Sequence, residues 1–334
     1  MTEGLSAAVA AGDAVRGTTS PNPPVGCALV GPAGDLIATG ATSPAGGPHA
    51  EVNALRAAGE RARGATAVVT LEPCNHTGRT GPCSHALAEA GVARVVYCTA
   101  DPFAPAAGGA DYLRSRGVAV DFRPARVEAL QPWLRSVRHG RPSVTWKFAA
   151  TLDGFTAAAD GTSQWITGEA ARELVHADRA ARDAIVIGTG TALADDPSLT
   201  ARYPDGSLRP RQPRRVVVGA RSVGARAVGA GNLARLGFEQ YATPQEALAA
   251  LWDAGARDVL LEGGAGLAGS FLELDLVDAV QAYVAPALLG AGRGVLNRAL
   301  TDTITGARRF RTTDVRRAGD DVRIEMERDV YGTR

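Results

Sequence analysis

The sequence predicts two consecutive α/β domains, and three observations point to that fold class. The chain has 334 residues, more than one compact domain usually contains. Short apolar runs typical of strands alternate with helical patterns along both halves, as they do in layered α/β folds. Gly140-Arg141-Pro142 stands directly before a new apolar run, so we expect one domain at 1–142 and another at 143–334.

The first half contains the elements of a three-layer α/β domain. Val52, Leu55 and Ala58 recur at helical spacing, and Gly64 marks the end of that helix. The apolar run before Gly31-Pro32 is typical of a strand. In chain order the predicted elements are a helix at 5–16, a strand at 25–30, a helix at 51–63, a strand at 67–71, a helix at 82–91 and a strand at 92–99.

The second half repeats the alternation of strands and helices and therefore predicts another α/β domain. The segment 221–241 is rich in glycine, alanine and arginine and gives only a weak pattern. The predicted strands lie at 143–148, 184–188, 215–219, 258–262 and 280–284, with a helix at 243–255.

Composition excludes several functional classes. Lys and Arg number 36 and Asp and Glu 35, so the net charge of +1 gives no electrostatic reason for a nucleic-acid or anionic-membrane partner. No 18-residue apolar run is present, and the N-terminus lacks the basic start and apolar core of a signal peptide, so we expect a cytoplasmic protein. Four cysteines favour a metal or catalytic use over a disulfide framework. We expect a small-molecule substrate and a homo-oligomer, either a dimer or a tetramer.

Three residues have the character of zinc ligands. His49 and Cys83 each open a predicted helix, and Cys74 directly follows a predicted strand. One imidazole and two thiolates leave the fourth tetrahedral position for water, as a catalytic zinc site requires. Glu51 lies two residues from His49, so it can face that water and shuttle protons to a ring nitrogen and to departing ammonia. This pattern is the signature of the zinc-dependent nucleobase deaminases.

Two other interpretations of this pattern stay open. In one, the zinc site is purely structural and the protein carries an inactive nucleotide-binding domain, so the Glu51 carboxylate would have no catalytic role. Alternatively, the chain is a tRNA or nucleoside deaminase with an unrelated appended domain. Eight residues (75–82) separate Cys74 from Cys83, whereas those deaminases usually have two, and this spacing argues against the second alternative.

Longer motifs resemble the bifunctional riboflavin-biosynthesis deaminase–reductases. The turn Ser20-Pro21-Asn22-Pro23-Pro24-Val25-Gly26 and the run 71–80 resemble the deaminase half, and the stretches 146–154, 161–167 and 187–197 resemble the reductase half. The resemblance covers nearly the whole chain in the family's domain order. It implies a cytidine-deaminase-like three-layer α/β/α domain followed by a dihydrofolate-reductase-like α/β domain, with Zn²⁺ and NADPH as cofactors. It also implies that a diaminopyrimidinone ribosylamino phosphate is deaminated and that its ribosyl group is then reduced to ribityl.

The resemblance implies substrate contacts in the first domain. Asn22 would contact the base, and His76 and Arg79 would face the pocket or the phosphate. The alternative for Asn22 is a residue that only shapes its turn, and the alternative for His76 and Arg79 is a solvated loop.

A glycine-rich segment in the second half predicts a phosphate site. It runs from a strand into a helix, where glycines let the backbone approach a pyrophosphate and the helix N-terminus favours its charge. Gly264, Gly266 and Gly269 spell G-x-G-x-x-G, but no acidic residue follows Val284 where a Rossmann site requires one. We therefore expect a dinucleotide phosphate site outside the Rossmann fold. The alternative is a turn that serves only helix–sheet packing.

The remaining expected contacts follow from the resemblance. Lys147 is the only lysine among 36 basic residues and would hold the ribose end while hydride reaches the C1 carbon. Arg179 and Arg202 suit a sugar phosphate, although either also fits a solvated surface, and Trp165 also fits the core. The implied cofactor contacts are Ala150, Trp165, Thr191, Asp195, Gly264, Ala265, Gly266, Leu267, Ala268, Gly269 and Ser270. The implied substrate contacts are Ser163, Arg179, Leu199, Arg202 and Glu262.

The sequence departs from the family near the adenosine end of the cofactor. After Arg215-Val216-Val217-Val218 the family often has Asp-Ser, where this chain has Gly219-Ala220. The following segment, 221–241, is also shorter than in many relatives. The preference between NADPH and NADH stays open on these residues.

Overall fold

The computed structural model describes residues 2–77, 81–223 and 231–328. It separates into two compact units, Met1–Gly140 and Arg141–Arg334. This division lies beside the boundary expected after Pro142, and that boundary itself stays a prediction.

The first unit is a mixed sheet with helices on both faces. The sheet order is β2-β1-β3-β4-β5; β1 is antiparallel to β2 and β3, and β3, β4 and β5 are parallel. The strands are β1 (Gly26–Val30), β2 (Leu36–Ala41), β3 (Thr66–Val69), β4 (Arg94–Tyr97) and β5 (Ala119–Phe122). The helices are α1 (Thr2–Ala14), α2 (Ala50–Ala58), α3 (Cys83–Glu89), α4 (Gly109–Ser115) and α5 (Gln131–His139).

Alternation along the strands explains the three layers. Val30, Val68 and Val96 form one buried cluster that packs against Leu5 of α1. The intervening strand residues, Cys27 among them, join a second cluster with Ala50 and Ala54 of α2. The predicted helix at 51–63 is interrupted, because Gly59 takes a positive φ of 59° and a 3₁₀ turn (Gly59–Ala62) follows.

The second unit is built on a sheet whose order is β10-β9-β8-β11-β6-β12-β15-β14 in the part of the chain that the structure describes. Its strands from β10 to β12 are parallel, and β15 and β14 continue it antiparallel. The strands are β6 (Ser143–Thr151), β7 (Phe155–Ala158), β8 (Ala184–Gly188), β9 (Arg214–Val218), β10 (Glu239–Tyr241), β11 (Asp258–Leu261), β12 (Ala279–Ala285), β13 (Gly292–Gly294), β14 (Phe310–Ala318) and β15 (Asp321–Arg328). The helices are α6 (Glu169–Ala180), α7 (Thr189–Asp195), α8 (Asn232–Leu236), α9 (Pro244–Asp253) and α10 (Ala265–Glu273).

The parallel strands of this unit end at one edge of the sheet. The turns after β8, β9 and β11 therefore lie side by side, which is where open α/β sheets bind ligands. Two buried apolar clusters hold the strands in place, one containing Val144 and Phe271 and the other Ile185 and Leu233. A separate antiparallel ribbon of β7 and β13 stands beside the end of β6.

Candidate active sites

The three predicted zinc ligands converge in the first unit. His49 caps the N-terminus of α2, Cys83 is the first residue of α3, and Cys74 follows β3 after a short loop. The Nδ1 atom of His49 lies 3.3 Å from the Cys83 Sγ atom and 3.6 Å from the Cys74 Sγ atom. Zinc bonds of about 2.0–2.3 Å place tetrahedral donors at about this separation. The donor set therefore fits a single zinc ion.

The electrostatics of this cluster suit a metal and a proton carrier. The sulfur of Cys74 receives hydrogen bonds from the Cys83 side chain, from His49 and from the Cys83 backbone amide, which lies 3.5 Å away. These bonds hold the pKa of Cys74 below its usual range. Glu51, in the first turn of α2, is 4% exposed. Burial, with the nearby Cys74, raises the pKa of Glu51 to about 7. A carboxyl group with that pKa can both accept and release a proton near neutral pH.

The expected substrate contacts of this unit have different surroundings. Asn22 forms its turn through the backbone, because its amide donates to the Thr19 carbonyl and its carbonyl accepts from the Thr19 hydroxyl. The Asn22 carboxamide forms no hydrogen bond with any other residue that the structure describes. His76 has a buried Nδ1 atom that likewise has no partner among the described residues. Arg79 lies outside the described residues.

One acidic residue near this site was missed by the sequence analysis. Asp101 follows β4, as Cys74 follows β3, and the carboxyl ends of these two parallel strands meet at one edge of the sheet. Burial raises the pKa of Asp101 to about 6, and Glu72 and Cys74 add to the shift while His76 opposes it. The available signal was its position after a strand, since the residue type alone carries none.

The second unit contains a cleft of about 1020 Å³ at the carboxyl edge of its parallel sheet. This volume is at the upper end for small-molecule sites, which suits a cofactor and a substrate together. The expected contact residues that line the cleft are Lys147, Ser163, Thr191, Asp195, Glu262, Gly264, Ala265, Gly266, Leu267 and Ser270.

The predicted phosphate site lies in the middle of the cleft. Gly264 is the N-cap of α10, and its backbone amide donates to the Thr191 hydroxyl at 3.3 Å. A Cβ atom on Gly263 would lie 2.8 Å from the Leu267 side chain, so this turn passes very close to its helix. Backbone amides at a helix N-terminus and small residues leave room and positive potential for a pyrophosphate.

Two charged side chains of the cleft lining, Lys147 and Glu262, lie close to the Arg179 guanidinium. Glu262 receives two hydrogen bonds from Arg179, at 2.7 and 2.8 Å, and this pair holds the pKa of Glu262 at about 2 against its own burial. Arg179 also donates to the Thr200 carbonyl at 3.1 Å. Lys147 is half-buried near them, and this burial lowers its pKa while Glu262 opposes that shift. Glu262 therefore orients Arg179, and its own oxygens are already engaged.

Several expected contacts do not line the cleft. Ala150 and Ala268 are buried, and Leu199, with a φ of 48°, places its side chain in the core. Trp165 is 70% exposed, so it is not a core residue, and its ring stacks under the Arg172 guanidinium at 4.6 Å. Arg179, Arg202 and Gly269 are also absent from the cleft wall. Arg202 instead donates to the hydroxyl groups of Thr200 and Ser198.

Other residues of the cleft were not found from the sequence. They include Trp146 and Thr189 beside the predicted positions, and Arg221, Arg293, Asn297 and Arg298 elsewhere in the wall. Arginine is so common in this chain that its type carries little information.

Within the described residues, no helix is long and apolar enough to cross a membrane.

Comparison with known proteins defines the class to which this pair of sites belongs. Residues 3–99 match the cytidine and deoxycytidylate deaminase zinc-binding region, and residues 142–324 match the RibD C-terminal domain. A zinc-dependent deaminase domain followed by a reductase domain makes the chain a bifunctional deaminase–reductase, and it fits the expected cofactors Zn²⁺ and NADPH.

Similar proteins then give the family. The riboflavin biosynthesis protein RibD of Corynebacterium ammoniagenes is 60% identical and covers 91% of each chain, and that of Mycobacterium tuberculosis is 49% identical and covers 93% of each. The structure of Acinetobacter baumannii RibD has a TM-score of 0.84 at 38% identity and covers 97% of this chain and 98% of that one. The chain belongs to the RibD family of riboflavin biosynthesis.

These findings confirm the predicted fold class and the bifunctional assignment. The alternative of an unrelated appended domain is wrong, because residues 142–324 match the family's own C-terminal domain. A solved relative from Thermotoga maritima, 30% identical with a TM-score of 0.85 and 98% coverage of both chains, is described as a diaminohydroxyphosphoribosylaminopyrimidine deaminase and 5-amino-6-(5-phosphoribosylamino)uracil reductase.

Proposed function

We propose that the first unit deaminates 2,5-diamino-6-(5-phosphoribosylamino)pyrimidin-4(3H)-one and that the second unit reduces the product, 5-amino-6-(5-phosphoribosylamino)uracil, to the ribitylamino compound. The observation that carries the first step is a buried carboxyl group, Glu51, two residues from a His/Cys/Cys donor set whose atoms lie within 4.8 Å of one another. The Thermotoga maritima relative, whose described activities are these two, supports the choice of substrates.

In the deaminase site, His49, Cys74 and Cys83 would hold the zinc, which when bound supplies Lewis-acid activation of water. Glu51 accepts the proton that water loses and passes protons to the ring nitrogen and then to the leaving amine. The oxygen of that water becomes the new carbonyl oxygen, the bond between the ring carbon and the amine breaks, and ammonia leaves. Asn22, His76 and Arg79 would hold the base and the ribosyl phosphate. Among the residues that the structure describes, the Asn22 carboxamide and the His76 Nδ1 atom have no partner, which supports their part of this proposal.

In the reductase cleft, the bound cofactor NADPH would supply the hydride that reduces the C1 carbon of the ribosyl group. The C1–O bond of the sugar ring breaks, and a proton completes the new hydroxyl group. Lys147 holds the ribose end, and the turn at Gly264–Ser270 receives the pyrophosphate. Ser163 and Glu262 also line the cleft. Arg179, Leu199 and Arg202 do not line the cleft, so we propose that they shape the substrate site indirectly, Arg179 through its pair with Glu262 and the other two through the loop at 198–202.

The deaminase proposal is tested by Glu51→Gln. We expect the variant to keep one zinc per chain and to lose deamination by about 10²–10⁴-fold, the usual contribution of a general acid–base group. Reduction of the deaminated product should be unchanged. The matched control is Glu60→Gln, which removes an exposed carboxylate on the turn after α2. A Glu51→Gln enzyme that deaminates at the wild-type rate would overturn the role.

The reductase proposal is tested by substrate dependence. Purified protein should oxidise NADPH when it is given the deaminated ribosylamino compound and should leave NADPH intact without it. Mass analysis should show a product two hydrogens heavier. If NADPH is not oxidised with that substrate, the second unit has a different use.

We propose further that the enzyme acts in the cytoplasm, on a small molecule rather than on nucleic acid, and as a homo-oligomer (a dimer or a tetramer). The net charge of +1 supports the choice of partner. Light scattering of the purified chain tests the oligomer. Robust deamination of tRNA would contradict the choice of substrate.

A further inference from the structure

The cleft of the second unit has an ordered sequence of parts from one end to the other. Its strands follow the order β9-β8-β11-β6. Lys147 lies on β6, the glycine turn follows β11, Thr189–Thr191 follow β8, and Arg221 follows β9. Neighbouring strands are about 4.8 Å apart, so β6 and β9 are separated by about 14 Å. This distance suits an extended dinucleotide with its hydride end at Lys147 and its adenosine end at β9.

We propose that Arg221 binds the 2′-phosphate of NADPH and so makes this chain prefer NADPH to NADH. The inference rests on the proposed reductase function and names the residue that selects its cofactor. Nothing in the Gly219-Ala220 dipeptide, which replaces the Asp-Ser common in the family, offers a side chain that could bind a phosphate.

The turn that carries Arg221 is held in place by its main chain. Gly219 has a φ of 137°, and a Cβ atom there would lie 2.8 Å from the Thr189 hydroxyl, so this turn packs directly on the turn after β8. The Gln240 carboxamide donates to the carbonyls of Gly219 and Arg221, at 2.9 and 2.7 Å, and accepts from the Val223 amide at 3.3 Å. The backbone of Arg221 is therefore fixed without using its side chain.

The Arg221 guanidinium is available to a ligand. It lies over the next turn, with Nη2 3.7 Å from the Cβ position of Gly190, and it lines the cleft. Within residues 2–77, 81–223 and 231–328 it forms no ion pair or hydrogen bond. Arg298, which also lines the cleft, is already paired with Glu273 at 3.0 Å. A guanidinium on a fixed turn is well suited to grip a phosphate.

Asp195 makes the expected effect of Arg221 larger. Asp195 lines the cleft at the end of α7, the helix that follows β8, next to β9 in the sheet. Its carboxylate would repel a 2′-phosphate, whereas it would accept a hydrogen bond from the ribose hydroxyl of NADH. Arg221 offsets this repulsion. Removing Arg221 should therefore lower the affinity for NADPH and leave that for NADH unchanged.

The test measures binding by calorimetry, with no turnover, on the full chain. The ligands are NADPH, NADH, 2′,5′-ADP and 5′-AMP. We expect Arg221→Ala to weaken NADPH and 2′,5′-ADP by at least about tenfold and to leave NADH and 5′-AMP within about twofold, because a hydrogen-bonded charge pair is lost. Added salt should weaken NADPH binding more in the wild type than in the variant. The control is Arg317→Ala, an exposed arginine on β14 outside the cleft, which should match the wild type for all four ligands.

The outcomes separate the inference from the function on which it rests. If the wild type binds NADPH and Arg221→Ala keeps the wild-type ratio of NADPH to NADH affinity, the inference is overturned and the reductase assignment stands. An equal loss for all four ligands, or a lowered unfolding temperature with such a loss, also overturns it. If the wild type binds none of the four, both are overturned.

Discussion

The two candidate sites of this chain are built from different parts of the polypeptide. The deaminase site consists of side chains: three donors within 4.8 Å of one another and one buried carboxyl group. The reductase cleft, about 1020 Å³ in volume, is lined largely by glycines, small residues and turn backbone. The first site therefore depends on residue type at a few positions, and the second depends on the path of the chain.

The two sites also differ in the pKa of a carboxyl group that each contains, Glu51 in the first and Glu262 in the second. Burial raises the pKa of Glu51 to about 7, whereas the Arg179 guanidinium holds the pKa of Glu262 at about 2. A carboxyl group that titrates near neutral pH can move protons, and one that is permanently ionised can only hold a neighbour. Opposite shifts at two buried acids thus indicate opposite roles.

The largest effect should come from removing a donor atom of the deaminase site. Cys83→Ala should lose bound zinc and lower deamination by at least about 10³-fold, because the metal contributes several kcal/mol of activation. Reduction of the deaminated product should stay within about twofold. Metal analysis and both activities check this result.

The matched control is Cys98→Ala, which removes a buried thiol just after β4 that is not part of the donor set. It should retain zinc and deamination. If Cys83→Ala keeps its zinc, the first site does not depend on the residue type at position 83, and the comparison with the second site fails.

The next effect concerns the ionised acid of the second unit. Because the pKa of Glu262 is lowered to about 2 in the folded state, its anion stabilises the fold fully above its ordinary pKa, and the effect is lost as pH falls towards 2. The lowered pKa of Glu262 corresponds to at most about 3 kcal/mol in the free energy of unfolding. The stability difference between the wild type and Glu262→Gln should therefore be larger at pH 5 than at pH 3, as measured by urea unfolding of each protein at both values.

Glu169→Gln is the control for that series, since it removes a carboxylate that is 97% exposed. It should follow the wild type at both pH values. If the stability difference between the wild type and Glu262→Gln is as large at pH 3 as at pH 5, the negative charge of Glu262 does not stabilise the folded state.

Sequence reasoning reached the two sites to different depths for a physical reason. Imidazole, thiolate and carboxylate at fixed spacings identify zinc chemistry directly, so His49, Cys74 and Cys83 were found and the structure brings them together. Asp101 was missed, because a single acid in a loop has no pattern until β4 places it beside β3. In the cleft, the residues themselves gave a clear pattern only at the glycine turn, and the other expected contacts came from the family resemblance, because small residues make up much of the wall.

The same limit applies to the cleft arginines and to the sheet edge. Arg221 and Arg293 could not be distinguished among 36 basic residues until the turns were placed. The hairpin of β14 and β15 went unpredicted, because charged residues interrupt its apolar alternation and much of it is only partly buried. Leu199 was expected at the substrate, but its side chain is 3% exposed within the core.

The smallest effect tests whether the glycine turn binds a cofactor or only packs. Gly266 lines the cleft in the first turn of α10, and an alanine Cβ there would meet the Asn297 side chain at an ordinary 3.6 Å. Gly266→Ala should therefore fold, and the helix should gain about 0.5–1 kcal/mol. The methyl group would nevertheless occupy the space of the pyrophosphate, so we expect the KM for NADPH to rise about tenfold, equivalent to 1.4 kcal/mol.

Gly269→Ala separates the two explanations. Gly269 is one turn later on α10, away from the cleft wall, and its added Cβ would meet the flexible Arg298 side chain at 3.0 Å. This variant should share the gain in helix stability and keep the wild-type KM. Equal KM values for both variants would mean that the glycines serve only helix–sheet packing. A higher KM for Gly266→Ala alone, with no loss of unfolding temperature, indicates a ligand at the helix N-terminus, because both substitutions add one methyl group to α10 and only Gly266 lines the cleft.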